Sequence, residues 1–372
     1  MIRRLLFAVC TVGTLASPDS APAQPRATNS AALRDSLLSD IRTAHAAGTF
    51  DGIVLVALGD RVVLRTAIGD ADRAAHRPLT PDALIPFASV TKQLTAALVL
   101  QQLAADHATI DTPIGTWLLE FRTGERANIT MRHLMEHSSG LPDPADIPDF
   151  YTTRDTNITA PRALMARFAD TPLRSVPGAT FAYNNYDYLV LGQWLEQRTG
   201  RSYATLVTER IGRIAAFKAV RMAPAVLRRN ALPVGYDSLS PAPAQRLATY
   251  GASGGLLGTI DDLYKWDRAL LTGTILTPDM TASLFRPNPA LGFVGLGSWI
   301  YDLTPVKGAP PVRLIERQGE IGGWRLLNII APERGWSVII FGNTTQADIQ
   351  QTYANRGLGF EILKRLTQDA GR

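Results

Sequence analysis

The sequence predicts an α/β fold of the α+β kind. One antiparallel sheet is built from strands at both ends of the chain, flanked by terminal helices, and a helical subdomain is inserted between those strands. Three observations carry this. Strand-like apolar runs bounded by turn residues occupy 52–68 and return only after Pro289. Between them, over about 90–290, apolar residues recur at helical spacing between Pro- and Gly-rich loops. The chain has 372 residues, 46% of them hydrophobic and 19% charged, which is enough apolar mass for a large core. Such a layout leaves a cleft where the sheet meets the helical insertion.

The elements follow in order. Residues 1–23 read as a cleavable signal peptide. Arg3 and Arg4 precede an apolar run from Leu5 to Leu15 that is too short to span a bilayer, and Ala21-Pro22-Ala23 is a small-residue cleavage site. The expectation is export to a periplasm or the medium without a stable membrane anchor, leaving 24–372 as one domain with its helical subdomain at about 90–290. After a short lead-in, Ala31–Ala47 reads as a helix ended by Gly48. Gly52–Leu58 and Arg61–Ile68 read as a hairpin turning at Gly59-Asp60. Val90–Ala104 is a helix with Leu94, Ala97, Leu98 and Leu103 on its buried face. Further helices are read at Asn185–Arg198, Tyr203–Phe217 and Asp261–Leu271, the last capped by Thr259. The strands resume at Gly297–Leu303, Pro311–Arg317, Trp324–Ala331 and Trp336–Gly342, with a turn at Glu333-Arg334-Gly335 before the last. A helix over about Ala347–Leu366 closes the chain.

Composition excludes several functions. The net charge is +5, but the arginines are interleaved with Asp and Glu and form no basic run, so no nucleic-acid partner is expected. The single cysteine, Cys10, lies in the leader. A mature chain without cysteine has no disulfide, no thiol nucleophile and no thiolate metal site. Neither a cofactor nor a metal is implied.

Chemistry concentrates at three places. Ser89 and Lys92 form a Ser-x-x-Lys pair where the Val90–Ala104 helix begins. Residues three apart share a helix face, so Lys92 reaches Ser89 Oγ. A buried lysine gives up its proton where arginine cannot, and this chain has only five lysines among 38 basic residues. Free backbone N–H groups at the helix start suit a developing oxyanion. The plainer reading is an N-cap Ser and a solvated Lys. Tyr183-Asn184-Asn185 stands just before another helix; a phenol relays protons and an amide binds a carbonyl. Its plainer reading is a buried Tyr beside a capping Asn. At Arg317-Gln318-Gly319-Glu320, at the end of a strand, a cation precedes glycines that let a substrate backbone approach. Its plainer reading is a Gly-rich hairpin with an exposed Arg.

In this order and on these elements, the three motifs resemble the serine β-lactamase and penicillin-binding-protein superfamily, and its class C β-lactamase-like, D-alanyl-D-alanine carboxypeptidase and esterase branch in particular. The resemblance covers about residues 45–345 and includes 87–93, 129–142, Pro177-Gly178, 183–192, 252–256, 262–266 and 319–324. It implies the β-lactamase-like sandwich and an exported serine hydrolase with no cofactor. Ser89 would be the acylated nucleophile, Lys92 its activator and Tyr183 the base or proton relay. Asn185 would bind the substrate amide or acyl side chain, and the backbone N–H groups of Ser89 and Glu320 would form the oxyanion hole. Arg317, Gln318 and Gly319 would line the substrate. The family usually carries Lys or His, then Thr or Ser, then Gly where this chain has Arg317-Gln318-Gly319. That departure weighs against β-lactam hydrolysis more than against acyl-enzyme chemistry, and favours an ester, amide or D-amino-acid peptide substrate. The same fold also serves as a penicillin-binding sensor or an inactive binding protein.

Two other motifs compete. Gly251-Ala252-Ser253-Gly254-Gly255 matches the nucleophile elbow of α/β-hydrolases, but no histidine follows His137 to complete a triad. His133, Glu136 and His137 match an inverted zinc-peptidase pattern; the plainer reading is a short helix from Thr130 to Gly140.

Overall fold

The computed structural model describes residues 30–153 and 160–371; the leader expected at 1–23 lies outside them. The helix at the start, α1, spans Ser30–Ala46. Strands β1 (Gly52–Leu58) and β2 (Arg61–Ile68) follow as the expected hairpin, with Gly59 at φ +59° in its turn. Helix α2 (Thr91–Ala105) continues directly from a 3-10 turn at Ala88–Val90. The insertion then contributes α3 (Met131–Met135), α4 (Pro161–Phe168), α5 (Asn185–Thr199) and α6 (Ile260–Leu271). Strands β3 (Trp299–Leu303), β4 (Val312–Ile321), β5 (Trp324–Ala331) and β6 (Trp336–Gly342) return to the sheet, and α7 (Gly357–Ala370) closes the chain.

The six strands pair antiparallel in the order β3-β4-β5-β6-β1-β2, so the first hairpin docks against the last strand. Gly52 opposes Gly342 and Leu58 opposes Trp336 along that seam. Both faces of the seam are buried, which explains why β1 and β6 read as continuous apolar runs. Ile53, Leu55, Ile339 and Phe341 point into the core shared with the helical region. Val54, Val56, Val338 and Ile340 point into a second core under α1 and α7. Those two helices are tied by a bidentate pair, Arg365 to Asp40, at 2.8 and 2.9 Å. The chain thus forms the sheet, terminal helices and helical insertion expected from its strand pattern, which is the β-lactamase-like sandwich that the resemblance implies.

Three boundaries differ from the sequence reading. The closing helix begins at Gly357, ten residues later than expected, because Asn355 and Gly357 stand at φ +57° and +81° and break the run. Strand β4 continues past Arg317 to Ile321, so the third motif lies within the strand and the turn falls on Gly322-Gly323. The helix read at Tyr203–Phe217 is a short α-turn at Tyr203–Leu206 followed by a wider π-type turn at Val207–Gly212.

Helix α2 is buried on every side, polar residues included: Thr91, Lys92, Gln93 and Thr95 are all at most 2% exposed. Such burial demands partners. Gln93 donates to Ser298 Oγ at 2.9 Å and accepts from Asn328 of β5 at 3.2 Å, and Asn328 donates to Asp267 of α6 at 2.8 Å. This chain of bonds joins the central helix, the sheet and α6. Burial pushes the Asp267 carboxyl up to about 8. A carboxyl raised in the fold adds stability below its unfolded value of about 3.9 and loses it as pH rises through 8. Asp267→Asn should therefore gain Tm relative to the parent as pH is raised from 4 to 8, with the two curves converging at pH 4, as thermal unfolding across that range would record.

Candidate functional site

The site lies where α2, the Tyr183 loop and β4 meet. A short pairing of Ile85–Pro86 with Leu256–Gly258, and a bond from Phe87 N–H to Leu256 O at 2.8 Å, fix the approach to Ser89. Ala88, just before it, is held left-handed at φ +46°, a conformation costing about 1–2 kcal/mol for an L-residue. The reward is a sharp turn that presents Ser89 at the mouth of the cleft while Lys92, one turn on, is fully buried.

Tyr183 is set from the opposite side. Asn184 N-caps α5, accepting from Tyr186 N–H at 2.8 Å, and donates to the carbonyls of Leu141 and Pro142 at 2.9 and 3.0 Å. Its neighbour Asn185 is then the first residue of α5 and faces the site. The capping part of the plainer reading holds for Asn184, whereas Tyr183 is 38% exposed and not the buried ring that reading expected. The Tyr183 ring packs on His137 at 4.5 Å between centroids.

The groups converge on Lys92 Nζ. It lies 2.7 Å from Tyr183 OH, 2.8 Å from Asn185 Oδ1, 2.7 Å from the Ser253 carbonyl and 3.2 Å from Ser89 Oγ. Ser89 Oγ and Tyr183 OH are 2.5 Å apart. Asn185 Oδ1 and Ser253 O only accept, so they occupy two N–H bonds of the amine. Two hydroxyls, each able to donate, share what remains. An ammonium has three donors for these four oxygens; a neutral amine has two donors for the obligate acceptors and a lone pair for a hydroxyl proton. Burial, and after it the Arg317 guanidinium, hold the Lys92 amine well below its ordinary range, which favours the neutral form over the charged one.

Arg317 is fully buried and faces this cluster from β4. Nε donates to Ser89 O at 3.0 Å, Nη2 donates to Tyr183 OH at 3.0 Å, and the guanidinium lies 4.9 Å from the Trp299 ring centroid. The exposed-Arg reading of this motif is thereby corrected: β4 runs past Arg317, so the side chain turns inward instead of crowning a hairpin. Gln318 turns to the other face and donates to Glu316 Oε1 and Gln350 O. Gly319 abuts the nucleophile turn: a Cβ there would stand 2.7 Å from Phe87 O and 3.2 Å from Ser89 N. The tight turn at Gly322-Gly323, both left-handed, makes Ile321 and Trp324 a hydrogen-bonded pair. Ladder alternation then leaves the Glu320 N–H on the strand's other edge, beyond the end of β3. Ser89, Phe181, Tyr183, Trp299, Arg317 to Glu320 and Gln350 line a cleft of about 270 Å³.

The competing motifs resolve differently. Ser253 is buried, its Oγ donates to Tyr250 O at 2.6 Å, and only its carbonyl serves the site, so it is no elbow nucleophile. His133 and His137 do not converge. Thr130 and His133 form a capping box for α3, whereas His137 is buried beside Asp187 with Nδ1 3.3 Å from Oδ2. Among the described residues no group of three His, Cys, Asp or Glu side chains is arranged to hold a metal. Sequence reasoning placed His137 only in the zinc pattern and missed Asp187 and Ser139, which donates to Asp187 Oδ1 at 2.5 Å and braces the floor beneath Tyr183. It also missed Tyr151, which reaches Asn185 Nδ2 at 2.9 Å and stacks on Tyr250 at 4.3 Å. A buried His in the turn after a short helix carries no signal of its role until the fold places it.

Fold and sequence point to one family. The chain belongs to the beta-lactamase family, whose model matches residues 39–358. It is similar to a D-aminopeptidase of Brucella canis, 30% identical over 58% of this chain and 42% of that protein. It is also similar to the esterase EstB of Burkholderia gladioli, 31% identical over 52% of each. The chain thus spans only about two-fifths to half the length of these curated relatives. Solved structures with the same fold include D-amino acid amidase from Ochrobactrum anthropi SV3, with a TM-score of 0.75 and 20% identity over 90% of this chain and 98% of that one. Another is a penicillin binding protein from Bacillus halodurans, with a TM-score of 0.69 and 22% identity over 82% and 96%. Among the described residues no helix is long and apolar enough to cross a membrane.

Because Gly319 has no room for a side chain, Gly319→Ala should displace β4 from the Ser89 turn. Labelling of Ser89 by a fluorophosphonate, followed by intact mass, should slow by about 10²-fold, the scale of a small misplacement in a preorganised site.

Proposed function

We propose that this protein is an exported serine hydrolase that cleaves esters or amides, D-amino-acid amides and peptides among them, through an acyl-enzyme on Ser89. The observation that carries the reading is the buried Lys92 amine, with two obligate acceptors on its N–H bonds and its remaining valence on the Ser89 and Tyr183 hydroxyls. An ordinary lysine, with a pKa of about 10.4, is neutral in roughly one molecule in 2,500 at pH 7. Burial, with Arg317 beside it, reduces that handicap.

In the proposed reaction Ser89 Oγ bonds to the substrate carbonyl carbon while its proton passes to Lys92 Nζ, directly or through Tyr183 OH. The carbonyl oxygen takes the displaced electron pair and is met by the Ser89 and Glu320 N–H groups. Collapse breaks the bond to the leaving alcohol or amine, which takes the proton back from Tyr183 or Lys92. Water then attacks the ester and gives a proton to the same pair; collapse breaks the bond to Ser89 Oγ, which takes that proton back, and releases the acid and free Ser89. Asn185 is the anchor for the substrate amide or acyl side chain, and Arg317 fixes both the Ser89 backbone and the phenol. Gln318, pinned by Glu316 and Gln350, stands where the family usually has a small hydroxyl residue, which supports ester and D-amino-acid amide substrates over β-lactams. The names of the similar D-aminopeptidase, esterase and D-amino acid amidase support the same substrate range. The basic and apolar leader supports export.

The decisive test is peptide mapping after fluorophosphonate labelling, alongside turnover of p-nitrophenyl butyrate, D-phenylalanine amide and a chromogenic cephalosporin. The adduct should fall on Ser89, and Ser89→Ala should lose at least about 10³-fold in kcat/KM. Full activity in that variant, or an adduct on Ser253, would sink the mechanism. A burst of acylation without turnover would make the protein a sensor. A second outcome concerns pH. Only the neutral amine accepts a proton, so kcat/KM should climb with pH until Lys92 is deprotonated. Arg317→Gln removes a cation that lowers that pKa, so the acid limb of the profile should move up by roughly one pH unit.

A further inference from the structure

Beside the cleft lies a larger cavity of about 530 Å³, lined by Phe293, Trp299, Tyr301, Glu316, Gln318 and Tyr353. Trp299 and Gln318 belong to both cavities, so one molecule can extend from Ser89 into the second. Its walls are unusual in two respects. Four of the six side chains are aromatic, and two of them, Phe293 and Tyr353, are 49% and 59% exposed, far more than rings that serve a core. The remaining feature is Glu316, a carboxylate only 1% exposed. It faces the terminal-helix side of β4, accepting from Tyr301 OH and Gln318 Nε2. Both donors are neutral, and among the described residues no lysine or arginine pairs with it. A buried carboxyl with no cationic partner among the described residues, opening on an aromatic-walled cavity, is placed to pair with a cation that enters it.

We infer that this second pocket binds an organic ammonium group of the substrate, held by the Glu316 carboxylate and by the ring faces of Phe293, Tyr301 and Tyr353. The chemistry is that of aromatic cages for alkylammonium ions: ring quadrupoles attract a soft, weakly hydrated cation, and one carboxylate supplies the charge. Trp299 already carries Arg317, so the other rings and Glu316 bear most of the attraction. A hydrated metal ion fits poorly, because the wall offers one carboxylate and few other oxygens. The assignment of the cation to a substrate rests on the reaction proposed above; its binding to the pocket does not.

The test uses choline and its uncharged isostere 3,3-dimethylbutan-1-ol as probes, titrated calorimetrically into the full chain and into the Ser89→Ala variant. Choline should bind at least about tenfold more tightly in both. Glu316→Gln should erase that preference, and so should Tyr353→Ala combined with Phe293→Ala, two exposed positions whose loss does not threaten folding. Choline should also compete with the cationic ester p-nitrophenyl 6-aminohexanoate and not with p-nitrophenyl acetate. Equal affinity for the two probes, or a preference that survives both sets of substitutions, would overturn the site. Choline binding without competition would overturn its assignment to substrate. Choline binding in a protein that hydrolyses nothing would instead refute the reaction and leave the site standing.

Discussion

Everything at this site depends on keeping one amine dry. Lys92 sits in the buried first turn of its helix, and among the described residues its charged form has no carboxylate within hydrogen-bonding distance. The surroundings answer with two carbonyl oxygens, two hydroxyls and a neighbouring cation, a set that satisfies the amine's N–H bonds while disfavouring its third proton. The left-handed Ala88, the Asn184 cap and the side-chain-free Gly319 all bring groups to within reach of Nζ or of the serine one turn away. Arg317 does two jobs with one side chain. Its geometry fixes the Ser89 carbonyl and the Tyr183 hydroxyl, and its charge adds to burial in lowering the lysine pKa. A lysine in its place would keep the charge but not the fork that reaches both partners.

The substrate surface is less symmetrical than the catalytic cluster. On the helical side, Tyr151 and Tyr250 stack behind Asn185 and form a flat wall. On the other face of β4, Gln318 is immobilised by Glu316 and Gln350, and Gln350 also donates to Gly319 O at 2.9 Å. The loop before α7 is thereby tied to the strand that carries the third motif, so the late start of that helix has a use: it leaves free backbone and side chains to line the cleft.

Much of this was legible in the sequence, and the reason is local. Ser89 and Lys92 are one turn apart, so their proximity follows from helix geometry alone. The hairpins, the both-sides-buried strands and the Thr259 cap announce themselves by period and by turn chemistry. The orientation of Arg317 was not legible, because it depends on how far β4 extends, and Glu320 and Ile321 carry no mark distinguishing strand from turn. The His137, Asp187 and Ser139 network was equally hidden: its members come from two segments about fifty residues apart, and each has an ordinary structural reading alone. The Glu316 carboxylate was hidden by alternation, since a strand with one face on the site has another face that the motif does not describe.

The seam between β1 and β6 closes the sheet with the two ends of the chain, and the lysine's environment spans it. Ser89 meets Arg317 across 228 residues of sequence. No shorter stretch contains both, so an incomplete chain has a serine and a lysine but neither the guanidinium nor the β4 edge. Contacts this distant are among the last to form as a chain orders itself. Reactivity therefore arrives together with the finished fold. Under the proposed reaction, a polypeptide still unfolded carries an unarmed serine, and the architecture itself acts as the safety catch.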